Sequence, residues 1–118
     1  MNEKFALGIL GLGVMGRSLA QNFARNGFEP IGYDVSPKLP PDFAVRVSNS
    51  LEELVQSLAA PRILFLMVPA GEPVDTAIQS LLPFLEKGDL IIDGGNSYFQ
   101  DTQRRVQALE EQGFYFIG

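Results

Sequence analysis

A doubly wound parallel sheet in a single α/β domain is what this sequence predicts. Three observations predict it. Short apolar runs alternate with stretches of helical periodicity along the whole chain. The run Ile63 to Val68 is apolar without interruption, as in a parallel strand covered on both faces. A glycine-rich loop, Gly11 to Gly16, separates the first apolar run from the first helical stretch. A length of 118 residues suits one domain, 1–118, and leaves no room for two.

Each element has its reason. Leu7 to Leu10 is an apolar run ended by Gly11 and reads as a buried strand. Gly13 to Asn26 reads as a helix, with Met15, Leu19 and Phe23 on one face and Gly27 as its stop. Pro30 to Asp34 is a second strand. Ser36 to Asp42 holds Pro37, Pro40 and Pro41, which exclude a regular helix interior. Phe43 to Val47 alternates weakly, as a short strand. Ser50 and Glu53 form a capping-box pattern ahead of Leu51, Leu54, Val55 and Leu58 at helical spacing. Pro61 to Val68 is the next strand. Val74, Ala77, Ile78, Leu81, Leu82 and Leu85 form the stripe of one amphipathic helix despite Pro83. Gly88 and Asp89 turn the chain into the strand Leu90 to Asp93. Phe99, Thr102, Val106 and Leu109 mark the sheet-facing side of a last helix, stopped by Gly113, and Phe114 to Ile117 begins a last strand.

Composition removes whole classes of chemistry. Apolar residues make up 46% of the chain, enough for a real core. Nine basic and fourteen acidic residues give a net charge of −5, against a nucleic-acid or anionic-membrane surface. With no cysteine and no histidine there is no disulfide, thiol nucleophile, imidazole base or metal site built on those ligands. The longest apolar run is too short to span a bilayer, and MNEKFALGIL carries no signal-peptide pattern. The expectation is a soluble cytoplasmic chain. Gly118 stands directly behind the apolar FYFI, so a piece of a longer protein is expected.

Gly11-Leu12-Gly13-Val14-Met15-Gly16 fits G-x-G-x-x-G in the required place, after a strand and opening a helix. Gly11 permits the tight turn, Gly13 lets backbone approach a pyrophosphate, and Gly16 lets the helix pack on the strand. The helix N-terminus presents unpaired N–H groups to an anion. In a net acidic chain those local donors must do the attracting. The competing reading is a glycine-rich turn without a ligand. Asp34 follows at the end of the second strand, where a carboxylate accepts from the adenosine ribose hydroxyls. A 2′-phosphate would meet like charge there. The next residues are Val35, Ser36 and Pro37, and Lys38 is the only nearby cation. NAD is therefore expected over NADP. The competing reading of Asp34 is a turn or cap residue.

Two more strand ends fall where parallel sheets bind ligands. Val68-Pro69-Ala70-Gly71 leaves room for a ring, or is only a strand-to-helix turn. Asp93-Gly94-Gly95-Asn96-Ser97 offers a flexible loop with an amide suited to a carboxamide or a sugar hydroxyl. Equally, Asn96 or Ser97 caps the helix that follows. Arg104 and Arg105 read as solvated or in surface ion pairs, and Glu52, Glu53, Glu110 and Glu111 as solvated faces. The helix dipole accounts for Asp75. Met15 and Met67 read as core.

GLGVMGRSLAQNFARNGFEPIGYD, LFLMVPAGEPVD and LIIDGGNSYFQDTQRRVQALEEQGFYFIG together resemble the N-terminal cofactor domain of 6-phosphogluconate dehydrogenase, a β-hydroxyacid dehydrogenase. The block IIDGGNS-x-x-x-DT-x-R-R beside VPAG carries the resemblance more than the shared glycine loop. It implies a Rossmann-type sheet and oxidative decarboxylation of 6-phosphogluconate to ribulose 5-phosphate, a step of the pentose phosphate pathway. It places Gly11, Leu12, Gly13, Val14, Met15 and Gly16 at the cofactor pyrophosphate, and Asp34, Val35 and Ser36 at the adenosine-ribose selector. Val68, Pro69 and Ala70 would line the nicotinamide side, and Asn96 would touch both cofactor and substrate. NADP-using members carry Asn-Arg-Thr at the selector, so this chain is similar to the NAD-preferring branch. Members have a helix after the second strand where this chain has KLPP. The family's Ser-Gly-Gly loop, catalytic lysine and general-acid glutamate, in a helical domain, are absent, so the chain holds no catalytic residue and is expected to bind NAD without turnover. A homo-oligomer is expected only of a full-length protein. The alternatives are another β-hydroxyacid dehydrogenase, an imine reductase, or a non-enzymatic NAD-sensing module.

Overall fold

The computed structural model describes residues 4–118. The N-terminal segment expected to lack a leader begins with Met1 to Glu3, which lie outside the described residues. Strands β1 (Leu7–Leu10), β2 (Pro30–Tyr33), β3 (Arg46–Val47), β4 (Ile63–Leu66), β5 (Leu90–Asp93) and β6 (Tyr115–Ile117) alternate with helices. These are α1 (Val14–Arg25), α2 (Leu51–Gln56), α3 (Glu72–Leu81) and α4 (Phe99–Glu111). The six strands form one sheet in the order β3-β2-β1-β4-β5-β6, and every pairing is parallel. That is the doubly wound Rossmann order, as the alternation predicts. No helix among the described residues is long and apolar enough to cross a membrane.

Period-two alternation divides the core between the two faces. Ile31, Leu64, Leu66, Ile91 and Phe116 pack under α2, α3 and α4 with Leu54, Val74, Ile78, Leu81 and Leu109. Leu7 and Ile9, with Phe65, pack on the opposite face under α1 with Leu12 and Ala20. Among the described residues, α1 and the 36–45 segment cover that second face. Tyr115 and Ile117 therefore stay exposed on it, in register with Leu90 and Ile92. β4 is less evenly covered than its unbroken hydrophobicity suggests: Leu64 and Leu66 are buried, Ile63 and Phe65 only in part.

Several expected boundaries shift for identifiable reasons. The helix expected to run through Leu85 ends at Leu81, and Leu82–Phe84 is a 3-10 turn. Pro83 lacks the N–H that an α-helix needs at that point. The strands expected over 61–68 and 43–47 contract to Ile63–Leu66 and Arg46–Val47. Segment 36–42 is not helical. Met15, expected in the core, is 72% exposed, because the buried face of α1 runs through Gly16 and Ala20. Phe99, expected to face the sheet, is exposed in the first turn of α4. The Ser50 hydroxyl does cap α2, accepting from Glu53 N–H at 3.0 Å, while Glu53 Oε1 accepts from Asn49 N–H at 3.1 Å.

Candidate functional site

The chain winds from β1 through β2 to β3, then returns across β1 to lay β4 on its other side. That reversal leaves a crevice at the carboxyl ends of the strands. Backbone bonds tie those ends together: Gly11 N–H to Tyr33 O (2.8 Å), Met67 N–H to Leu10 O (2.8 Å) and Gly94 N–H to Leu66 O (2.9 Å). A cavity of about 680 Å³ opens there. Gly11, Gly13, Asp34, Val35, Val68 and Pro69 line it, so three separate sequence segments meet at one place. Glu72, Thr76 and Ser80 of α3 form another part of its wall.

The three loop glycines have different physical reasons. Gly11 has φ +106°, and a Cβ on it would lie 2.4 Å from Met67 O. On Gly16 a Cβ would sit 1.9 Å from Gly11 O, so helix and loop could not stay in contact. At Gly13 a Cβ would meet nothing within 4 Å. Protein packing explains the first two and leaves the third open toward the cavity. Leu12 points the other way: it is 1% exposed, against Gly32, a burial worth roughly 1.5–3 kcal/mol. Val14 and Met15 are exposed on the first turn of α1.

No side chain caps α1, and its first turn holds no acidic residue. The other three helices carry Glu52 and Glu53, Glu72 and Asp75, and Asp101 there. α1 is thus the one α-helix among the described residues with no acidic side chain in its own first turn. Asp34 stands beside it. Its Oδ2 accepts from Leu12 N–H at 2.7 Å and its Oδ1 from Ser36 N–H at 3.2 Å. A carboxylate has about four acceptor sites, so two remain. Asp34 is therefore more than a local turn residue, since it fastens the end of β2 to the glycine loop. Lys38 is exposed, and its carbonyl accepts from Arg17 Nη1 at 3.0 Å. The cavity wall holds two carboxylates, Asp34 and Glu72, and no arginine or lysine.

Ser36, Ala70 and Asn96 do not line this cavity. Asn96 is exposed on the loop after β5. Neither it nor Ser97 caps α4, whose N-cap is Tyr98 without a side-chain bond. The Ser97 hydroxyl instead donates to Asp93 Oδ2.

Arg105 corrects the expectation of a solvated face. It is 3% exposed. Its Nε donates to Asp75 Oδ1 at 2.8 Å and its Nη2 to Asp75 Oδ2 at 3.1 Å. Nη2 also donates to Gly71 O (3.1 Å), and Nη1 to Ser97 Oγ (3.2 Å). The hydrogen bond from Arg105 holds the Asp75 carboxyl below the usual aspartate range, against the opposing pull of burial. Asp75 in turn raises the Arg105 guanidinium. The dipole of α3 is thus an incomplete account of Asp75. Arg104 fits the surface reading, 3.3 Å from Asp75 and 3.7 Å from Asp101 with its side chain half-exposed. Apolar periodicity misses Arg105, as it misses Glu72 and Thr76, because it marks the face of a helix that is greasy and not what the polar face meets.

Open helix, fastened carboxylate and crevice converge on one class, the dinucleotide-binding Rossmann domains. Comparison with known proteins narrows the class. Residues 6–118 match the family described as the NAD binding domain of 6-phosphogluconate dehydrogenase, and the chain belongs to that family. The NADP(+)-dependent decarboxylating 6-phosphogluconate dehydrogenase of Bacillus subtilis is 47% identical over 98% of this chain and 26% of its own length. The NAD(+)-dependent enzyme of the same organism is 44% identical over 96% of this chain and 26% of its own. Among solved structures, Plasmodium falciparum 6-phosphogluconate dehydrogenase, studied with its cofactor NADP+ and its substrate 6-phosphogluconate, superposes with a TM-score of 0.86. It is 32% identical, over 94% of this chain and 26% of that one. The chain spans about a quarter of the length of the curated relatives it matches.

Proposed function

We propose that this chain is the cofactor seat of a decarboxylating 6-phosphogluconate dehydrogenase and that it prefers NAD to NADP. One observation carries the preference: Asp34 and Glu72 line the cavity beside the glycine loop and no arginine or lysine does, while Arg17 at the edge of that loop is held by Leu12 O (3.4 Å) and Lys38 O (3.0 Å). The two Bacillus enzymes differ in cofactor at nearly equal identity to this chain, so overall likeness does not decide it. Local charge does. A 2′-phosphate placed beside Asp34 would lose its hydration against like charge.

The residues present suit a dinucleotide. The space above Gly13 is open to a pyrophosphate beside the start of α1, whose own first turn holds no acidic residue. In this reading Gly11 to Gly16 form the pyrophosphate seat through the N–H groups of Gly13 to Gly16, those of Gly11 and Leu12 being taken by Tyr33 O and Asp34 Oδ2. Asp34, Val35 and Ser36 select the ribose. Val68, Pro69 and Ala70 flank the nicotinamide, which when bound supplies the hydride acceptor. Asn96 reaches cofactor and sugar-acid substrate from the neighbouring loop. The base and proton donor that decarboxylation needs belong to a helical domain outside residues 1–118. Alone, the chain binds without turnover.

Calorimetric titration with NAD and NADP tests the reading. NAD is expected to bind at least about tenfold tighter, a difference of about 1.4 kcal/mol. Asp34→Arg should reverse the order and Asp34→Asn should narrow it. An unchanged ratio in both variants would remove the carboxylate as the discriminator.

A further inference from the structure

We propose that Arg105 is a positioning residue that sets Asn96 and the Val68–Gly71 turn against one another at the nicotinamide end of the site. The inference rests on the cofactor reading above and extends it to a residue that touches neither cofactor nor substrate. One guanidinium ties two loops together. Arg105 lies on α4, buried, between two loops that leave the sheet from neighbouring strands. Toward the turn after β4 it grips Gly71 O and both oxygens of Asp75. Toward the loop after β5 its Nη1 grips Ser97 Oγ and lies 3.9 Å from Asp93 Oδ2. Asp93 Oδ1 in turn accepts from Gly95 N–H at 3.0 Å.

Asn96 therefore sits between two anchored neighbours, Gly95 and Ser97, while it stays exposed itself. The loop also runs close to the neighbouring strand end. A Cβ on Gly94 would lie 2.3 Å from Met67 Sδ, and one on Gly95 3.3 Å from Val68 O. Among the described residues no buried side-chain polar atom lacks a partner, so the cluster is fully satisfied. A planar guanidinium with five donors in a fixed fork can hold both loops at one spacing. A lysine could neutralise the same carboxylates but could not span the same acceptors.

Arg105→Lys separates positioning from charge. The probes are NAD and ADP-ribose, which lacks the nicotinamide, titrated into the 118-residue chain. The variant is expected to bind NAD about tenfold more weakly, the scale of one lost charge-assisted hydrogen bond, and ADP-ribose within about twofold of the parent. The free variant should also exchange the Gly95 amide hydrogen about tenfold faster, with Ile91 in β5 unchanged. Asp75→Asn, which loosens only the turn side of the clamp, should move NAD binding in the same direction by less, and serves if Arg105→Lys fails to fold. Equal losses for the two nucleotides, or parental binding and exchange in the lysine variant, would overturn the inference while leaving the cofactor reading intact. A parent chain that binds neither nucleotide would overturn both.

Discussion

Two glycines five ångströms or so apart along a helix start can be conserved in a motif for opposite reasons, and only their surroundings tell them apart. Gly16 is closed: its missing Cβ is space already used by the Gly11 carbonyl. Gly13 is open, with φ −67° and ψ −170°, values any residue adopts. The two substitutions should therefore separate folding from binding. Gly16→Ala is expected to cost about 1–3 kcal/mol through forced backbone movement. Gly13→Ala should cost no more than about 1 kcal/mol, the difference between glycine and alanine at an N-cap. Yet the added methyl stands where the pyrophosphate is proposed to lie, so NAD affinity should fall about tenfold. Urea unfolding and calorimetry on both variants read the two effects independently. Parental NAD affinity in Gly13→Ala would place the phosphates elsewhere.

At the scale of elements, the contact between α3 and α4 is electrostatic as well as apolar. Asp75 is ionised more readily in the folded chain than in the unfolded one, because Arg105 donates to it. Its contribution to stability is thus present above the ordinary aspartate value, near pH 4, and is lost as pH falls through the lower folded value. Asp75→Asn should destabilise the chain at pH 7 by about 1–2 kcal/mol, reduced from the cost of breaking a fully buried pair because the carboxylate is 37% exposed. The gap between variant and parent should close below about pH 4 in urea titrations. A gap that is constant with pH would mean that the ion pair contributes nothing. The same contact marks where sequence reasoning stops. The strand–helix alternation, the glycine loop and the place of Asp34 are legible because each depends on neighbours close in the sequence. Pro83 is legible too, but the apolar stripe continues past it and hides the point where the α-helix gives way to the 3-10 turn. Arg105 was not legible at all. Its burial depends on Asp75, which lies on another helix and meets it only when α3 and α4 pack, with Asp93 at the end of β5 as a weaker second partner. Phe99 failed for the converse reason: its spacing from Val106 fits a helical face, but the chain enters α4 at the rim, beyond the cover of the sheet.

For the molecule as a whole, a net charge of −5 works against an anionic ligand, so the proposed seat must draw on the backbone N–H groups at the start of α1, with no arginine or lysine in the cavity lining. This has a measurable signature. Sites built on arginine or lysine lose affinity for phosphates as salt screens the attraction. Here the long-range field is repulsive, Asp34 and Glu72 add to it locally, and the attraction comes from short-range N–H groups that salt screens little. Raising sodium chloride from about 50 mM to about 500 mM shortens the screening length from roughly 14 Å to roughly 4 Å. NAD affinity is expected to stay level or rise slightly across that range. NADP carries the additional phosphate into the acidic cavity, so its affinity should rise more steeply and the preference for NAD should shrink. Calorimetry at the two salt concentrations decides the matter. If both affinities fall with salt, a cation must reach the phosphates in solution, and the discrimination by like charge at Asp34 loses its footing.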